Sequence, residues 1–293
     1  MGNGIHTIHP FVLFFYYLCA GFFAMFFNHP LFLFAGCLAL IAVNLTHVGG
    51  SRAMKQWTRL MISMTVLIVM INPFLNSGGS HILFYFRGKQ VTLEATLYGV
   101  VTSMSLLIIL LLFISLNIVL NGNKLLYIFS RILPKTAFLI MLSIRFVPLL
   151  KARLIEIQDV QRMKGMSTKQ GTVRQRAKNG MAIIQILLAW SLEEAIETAD
   201  SMKARGYGSG KRTTYIPYRM TPTDWKWLAY LAMAFTISLL GGLLGYGKIV
   251  IYPMLGTLHL YPLDWVVLGS SMAMCVFPIV VEGREQLKWN YSA

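Results

Sequence analysis

Six apolar runs, four before and two after a long basic segment and uncharged but for Asp264 at the start of the last, leave this chain few ways to fold. The runs are Phe11 to Phe27, Leu31 to Thr46, Leu60 to Leu75, Ala95 to Leu120, Trp227 to Tyr246 and Leu263 to Val281. Backbone placed in hydrocarbon must satisfy its own N–H and C=O groups, so such runs read as membrane-spanning helices. At about 1.5 Å per residue the shortest reaches only about 24 Å, and its ends must recruit flanking residues or sit in locally thin bilayer. The first two are joined through Asn28-His29-Pro30, a turn tight enough to make them antiparallel. The chain is 56% hydrophobic and 13% charged, with a mean hydropathy of +0.61. A soluble domain carries roughly 25% charged residues, so this is an integral membrane protein. The first ten residues hold no Lys or Arg and no cleavage site is evident, so the first run is expected to stay as a span.

The distribution of cations orients the spans, because cytoplasmic loops near span ends are enriched in them. Arg52, Lys55 and Arg59 mark the loop after the second run as inside. Asn121 to Pro222 carries 17 basic and 6 acidic residues and is placed inside as well. The opposite segments hold only Arg87, Lys89 and Lys248. The expected fold is therefore an all-α membrane protein with about six transmembrane helices and both termini cytoplasmic. Its blocks are a four-helix span region at 1–120, a cytoplasmic region at 121–222 and a two-helix span region at 223–293. A net charge of +15 is explained by attraction to an anionic membrane face, and nucleic acid is excluded as a partner.

Within the basic segment, a short apolar stretch, Leu125 to Leu133, ends at Pro134, and two amphipathic helices follow. The first places Leu139, Leu142, Phe146, Leu149, Leu150, Leu154, Ile157 and Val160 at three- and four-residue steps, with a kink expected at Pro148. The second places Met181, Ile184, Leu188, Leu192, Ala195, Ala199 and Met202 on one stripe. Glu193, Glu194, Glu197 and Asp200 lie off that stripe, and their expected partners are Arg174, Arg176 and Lys178 of the connector Met166 to Gly180 or, as the alternative, basic groups on a partner protein. Each helix ends at a glycine behind a cation: Arg162-Met163-Lys164-Gly165 in the first, Lys203-Ala204-Arg205-Gly206 in the second. One reading is that Lys164 and Arg205 only cap their helices, about 0.3–1 kcal/mol each. The other is that they dock in acidic grooves on another protein.

Other chemistry is thin. Cys19, Cys37 and Cys275 lie in apolar runs without metal-type spacing and read as small buried hydrophobes. His6 and His9 have a spacing a metal site could use but no further ligand nearby, so no metal site and no catalytic residue is expected. Tyr207 to Arg212 mimics a phosphate loop, yet Arg205 and Arg212 stand where glycine and Ser or Thr are required. Asn44, Asn72 and Asn117 in the spans are expected to make interhelical hydrogen bonds.

With these residues laid out, the chain resembles the transmembrane T component of energy-coupling factor transporters, the EcfT/CbiQ-type family. The matching stretches are Ile144 to Leu150, Val160 to Gly165, Ala199 to Gly208 and Gly210 to Tyr215. The resemblance implies a non-catalytic scaffold that couples two cytoplasmic ABC ATPase subunits to a separate substrate-binding membrane protein, the S component. Vitamin or metal-ion import across a prokaryotic cell membrane is the implied task. It implies no cofactor on this chain, with ATP-Mg bound by the ATPases. In the family two Ala-Arg-Gly motifs engage the ATPases. Ala204-Arg205-Gly206 matches, whereas Met163-Lys164-Gly165 departs from the pattern, leaving Lys164 or Arg162 as the first contact and Lys203 as a secondary candidate beside the second. Lysine keeps the charge and loses the planar fork, so the two docking sites are expected to be unequal. Leu149, Leu188 and Leu192 are expected to pack on the S component or on each other. The rivals are an ABC permease that binds its own substrate and an intramembrane lipid-modifying enzyme.

Overall fold

The computed structural model describes residues 8–47, 49–76, 79, 81–86, 89–166, 170–210, 218–249 and 261–292. The earlier readings of His6, Arg87 and the stretch 211–215 lie outside these residues. The described chain forms α1 (Pro10–Phe26), α2 (Pro30–Thr46), α3 (Gly50–Leu75), a hairpin of β1 (Ile82–Phe86) and β2 (Lys89–Thr92), then α4 (Leu93–Val119) and α5 (Gly122–Ile132). After these come α6 (Pro134–Met163), α7 (Val173–Ala204), α8 (Pro222–Leu243), α9 (Pro262–Cys275) and α10 (Phe277–Ser292). They fall into two compact units, one of residues 1–125 with 218–293 and one of residues 126–217. The two apolar blocks that the basic segment separates in sequence thus pack as one body.

All six apolar runs are helical. Three helices, α3, α4 and α8, are long and apolar enough to cross a membrane alone, and α9 with α10 makes a fourth candidate bent by 49°. The remaining two, α1 and α2, have 17 residues each, about 25 Å of rise. The break in the last run was not expected. Pro278 explains it, since its ring lacks an N–H and clashes with the carbonyl four residues back, on Met274. Pro148, where a kink was expected, sits inside the continuous 30-residue α6.

Two more expectations are corrected. Arg52, Lys55 and Arg59, read as a loop, lie in the first turns of α3, which starts at Gly50. Helix continues there because long cations favour helix and hold their charges outside the apolar zone. The segment before α4, also read as loop, contains the β-hairpin, with Tyr85 opposite Gln90. Glu94, in the first turn of α4, is fully buried and accepts hydrogen bonds from the His81 backbone N–H, at 3.1 Å to Oε1, and it lies 2.9 Å from the His81 ring.

The first unit is held at both ends by capped helix N-termini. His9 and His29 each precede a proline, and their Nδ1 atoms accept the N–H of Phe11 and Leu31 at 3.2 and 3.3 Å. Asp224 caps α8 in a capping box with Thr221, and its carboxylate also accepts the His9 N–H at 3.3 Å. Asp264 at the start of α9 accepts from the N–H groups of Tyr261 and Gly247, at 2.8 and 2.9 Å, while the Gly247 carbonyl accepts the His29 N–H. Both aspartates are buried. The helix N-terminus supplies the N–H groups and positive end that make a buried carboxylate tolerable. At the far end of α4, the Lys124 ammonium donates to the Val119 carbonyl at 3.3 Å, and burial lowers its pKa.

The core between these ends is aromatic. Tyr16, Phe23, Phe27, Phe32 and Phe277 are almost wholly buried, and Phe27 stacks on Phe32 at 5.3 Å. α2 and α4 run parallel and are tied by Asn44, whose Nδ2 donates to the Leu111 carbonyl at 3.1 Å. Asn117 and Asn72 instead bond within their own helices, to the Phe113 carbonyl and to Asn76. Gly241 on α8 faces the Val267 side chain, and Gly242 faces the ring of Phe26, so the pair lets α8 approach two neighbours closely.

Two measurements follow. Gly241→Val drives a branched side chain into Val267 and is expected to lower stability by about 1–3 kcal/mol, whereas Gly180→Ala on α7, where an added Cβ meets nothing within 4 Å, is expected to raise it by about 0.5–1 kcal/mol. Thermal melting in detergent ranks the three proteins. Burial also pulls the His29 imidazole below its ordinary pKa, against a smaller opposing pull from Asp264. A base with a depressed folded pKa contributes stability that is present above its unfolded value, about 6.5, and lost as pH falls through the folded one. His29→Asn keeps the cap acceptor without the titration, so its melting temperature should fall less than the wild type's on acidification.

Candidate functional site

The second unit is built on α6 and α7, each about 45 Å long at 1.5 Å per residue. They pack as an antiparallel pair: Phe138 near the start of α6 stacks on Tyr207 after the end of α7, with centroids 5.1 Å apart, and the Arg153 guanidinium lies 4.8 Å from the ring of Trp190. Leu142, Phe146, Leu150, Leu154 and Ile157 form the half-buried face of α6. On α7 the packed face carries Ile183, Leu187 and Trp190. The stripe read from the sequence, Met181, Ile184, Leu188 and Leu192, is turned outward, with Leu188 and Leu192 57% and 64% exposed. Leu149 on α6 is 41% exposed, so none of the three leucines packs fully within the chain. Helix α7 therefore has apolar surface on two sides, and the internal pairing covers one.

Both helices stop in the same way. At the end of α6 the Gly165 N–H donates to the Arg162 carbonyl at 3.0 Å and the Met166 N–H to the Gln161 carbonyl at 2.9 Å. At the end of α7 the Gly206 N–H donates to Lys203 at 2.9 Å and the Tyr207 N–H to Met202 at 3.0 Å. This is the Schellman pattern, which needs a left-handed residue after the cap. Gly165 and Gly206 both take φ +79°. The C-cap residues are Lys164 and Arg205, each exposed and pointing from the negative helix end. Arg162, Lys203 and Ala204 are exposed beside them. Ser209 buttresses the second tip, donating to the Gly206 carbonyl at 2.6 Å.

Because the helices are antiparallel, the two tips lie at opposite ends of the pair. Lys164 falls opposite about residue 180 of α7, some 25 residues from Arg205, which places the cations roughly 35–40 Å apart. The structure does not bring the two motifs together into one site. It makes two equivalent sites of one geometry and different chemistry, one an ammonium and one a guanidinium fork.

Two local expectations fail. The connector is shorter than expected, since α7 begins at Val173 with the Thr172 hydroxyl accepting the Gln175 N–H at 3.4 Å. Arg174, Arg176 and Lys178 are helical as a result. Glu193, Glu194, Glu197 and Asp200 make no ion pair among the described residues; Arg153–Glu156, at 2.6 Å on α6, is the salt bridge found in this unit. The acidic residues lie four or more turns along α7 from those cations, out of reach of an i,i+4 pairing. Among the described residues no cluster of three or more His, Cys, Asp or Glu could hold a metal ion.

Compared with known proteins, residues 3–216 match the CbiQ family, described as cobalt transport protein. The energy-coupling factor transporter transmembrane protein EcfT of Lactobacillus helveticus is 34% identical over 122 residues, covering 41% of this chain and 42% of that protein. EcfT of Leuconostoc gelidum is 26% identical over 161 residues, covering 51% and 60%. EcfT of Streptococcus thermophilus is 37% identical over 75 residues, covering 25% and 28%. The aligned part of the chain thus spans about half the length of the first two relatives, or less.

The caps can be tested directly. A side chain at φ +79° in place of glycine costs about 1–2 kcal/mol, so Gly165→Val and Gly206→Val should each lower the melting temperature, and asparagine at either position should lower it less.

Proposed function

The chain belongs to the CbiQ family of cobalt transport proteins, and from that premise we propose that it is the transmembrane coupling subunit of an energy-coupling factor uptake transporter. The observation that carries this reading is the pair of matched, glycine-stopped helix ends presenting Lys164 and Arg205 at opposite ends of one rigid antiparallel unit. Two cations held some 35–40 Å apart suit two separate acceptors better than one. The acceptors are two cytoplasmic ABC ATPase subunits, each gripping one tip in an acidic groove, with Arg205 the stronger contact because its fork can bind a carboxylate bidentately. ATP and Mg bind on those partners.

In this reading the spans cross the membrane six times with both termini cytoplasmic, the short α1 and α2 being accommodated by local thinning or by flanking residues. The uncovered stripe around Leu188 and Leu192, with Leu149, holds the substrate-binding membrane subunit, and that subunit selects the vitamin or metal ion. Nucleotide-driven movement of the ATPases changes the strain between the two tips, and the stiff helices carry it to the bound partner. The chain itself contributes leverage and no chemistry. The unpaired row Glu193, Glu197 and Asp200 is free to meet basic groups of a partner.

Charge reversal separates docking from capping. Removing one partner of a buried charge contact commonly costs 2–5 kcal/mol or more, whereas an exposed cap is worth about 0.3–1 kcal/mol. Arg205→Glu should weaken co-purification with the ATPases, Arg205→Glu with Lys164→Glu should abolish it, and the variants' melting temperatures should stay near the wild type's. A double variant that still assembles and transports normally is incompatible with the docking role.

A further inference from the structure

In the first unit, a buried polar chain links four helices. The Tyr17 hydroxyl on α1 lies 2.8 Å from Ser115 Oγ on α4; Ser115 Oγ lies 3.3 Å from His47 Nε2 at the end of α2; and His47 Nδ1 lies 3.8 Å from Glu282 Oε2 on α10. Both ion-pair side chains are nearly enclosed, at 5% and 12% exposed. Glu282 Oε2 has no hydrogen-bond partner, so its interaction with His47 is one of charge, and the Thr46 hydroxyl beside the carboxyl group also favours its charged form. Ionisable groups inside an apolar bundle are costly to keep and rarely idle.

The position of Glu282 is what makes this pair mechanical. It lies on the far side of the 49° break, six residues after Val276, where the last run changes direction. α10 continues from a joint with Pro278 in its first turn, and past Val281 its sequence turns polar, beginning with Glu282, Arg284 and Glu285. The charges on neighbouring elements include Arg52 and Lys55 in the first turns of α3, five and eight residues after His47, and Lys124, whose ammonium donates to the Val119 carbonyl at the end of α4. α1 carries none, the charged residue of α4 is Glu94 at the opposite end, and that of α9 is Asp264, also remote. The titratable groups nearby are Tyr17 on α1, Cys275 at the end of α9, and Arg284 and Glu285 on α10, with Arg284 turned toward the Trp227 ring at 5.8 Å. Neither Tyr17 nor Cys275 offers a competing charge at neutral pH.

We propose that His47 and Glu282 form a protonation-gated latch that holds the C-terminal half-span α10 against the bundle. With His47 an imidazolium and Glu282 a carboxylate, attraction in a low-dielectric setting closes the latch. When His47 loses its proton, its neutral ring keeps the Ser115 bond through Nε2 but no longer offsets the buried carboxylate, and α10 swings out about the joint at Val276 to hydrate it. The sign is fixed by the pairing: the closed form is lost as pH rises through the His47 pKa and also as it falls through that of Glu282. On the sidedness proposed above, cytoplasmic proton activity thereby sets the position of the chain's last helix.

The test uses the whole chain in lipid nanodiscs, with Cys19, Cys37 and Cys275 replaced by alanine and spin labels at Leu45 and Leu287, both exposed. Pulsed dipolar spectroscopy reads the α2 to α10 distance between about pH 6 and about pH 9, a range that brackets the ordinary histidine value. The expected result is one narrow distance at the lower pH and a growing longer population at the higher. His47→Gln, which leaves the carboxylate without its cation, should show the mixed distribution at every pH, and Glu282→Gln, which removes the group that needs hydration, should lose the growth of the longer population at the higher pH. A wild-type distribution that does not change with pH overturns the proposal, as does a Glu282→Gln distribution that matches the wild type's throughout. Should either variant fail to fold, the wild-type titration alone decides.

Discussion

A helix that begins inside an apolar environment has four N–H groups with no partner in the helix, and this fold is organised around satisfying them. Asp224 and Asp264 do so at the starts of α8 and α9, and each also reaches the chain near a histidine that begins α1 or α2. The result is one carboxylate staple at each end of the bundle, joining the N-terminal hairpin to the C-terminal one. These residues are more than two hundred positions apart in sequence. Without the staples, two buried carboxylates and several backbone donors would be left unpaired, each a loss of about 1–3 kcal/mol or more.

Between the staples the bundle is closed by shape. Gly241 and Gly242 let α8 approach Val267 and Phe26, and the aromatic core of Tyr16, Phe23, Phe27 and Phe32 fills the space beside them. The same economy leaves α3 applied to α4 along one side, with Trp57, Ile62, Leu67 and Met70 outward. That exposure suits a helix whose other neighbours are lipid or protein. The coupling unit shows the same division between internal and external surfaces: α6 and α7 cover one face of each other and leave the Leu188 and Leu192 stripe open. Each exposed stripe is larger than a water-facing surface would tolerate, which is why the chain is suited to work as part of an assembly.

The glycine-capped ends connect this architecture to its family. A Schellman cap stops a helix sharply and leaves the side chain before the glycine free, so a cation there projects without losing backbone hydrogen bonds. Two such ends stand at opposite ends of an antiparallel pair, and one carrying lysine and the other arginine gives the pair a chemical polarity as well as a geometric one.

Much of this was legible in the residues alone, because it depends on local periodicity and on single-residue chemistry. The apolar runs had to be helices, and glycine behind Lys164 and Arg205 required left-handed helix stops. What local pattern could not decide was which face of an amphipathic helix turns inward: Met181, Ile184, Leu188 and Leu192 form the better stripe, yet Ile183, Leu187 and Trp190 pack, since the antiparallel register with α6 decides the match. The β-hairpin before α4 and the start of α3 at Gly50 were missed because short or charged segments carry weak periodicity. The pairing of Asp224 with His9, and of Glu282 with His47, was equally out of reach. Sequence set the elements and their ends through interactions spanning three or four residues; only tertiary structure set the partners, because those contacts join positions that no repeat or spacing relates.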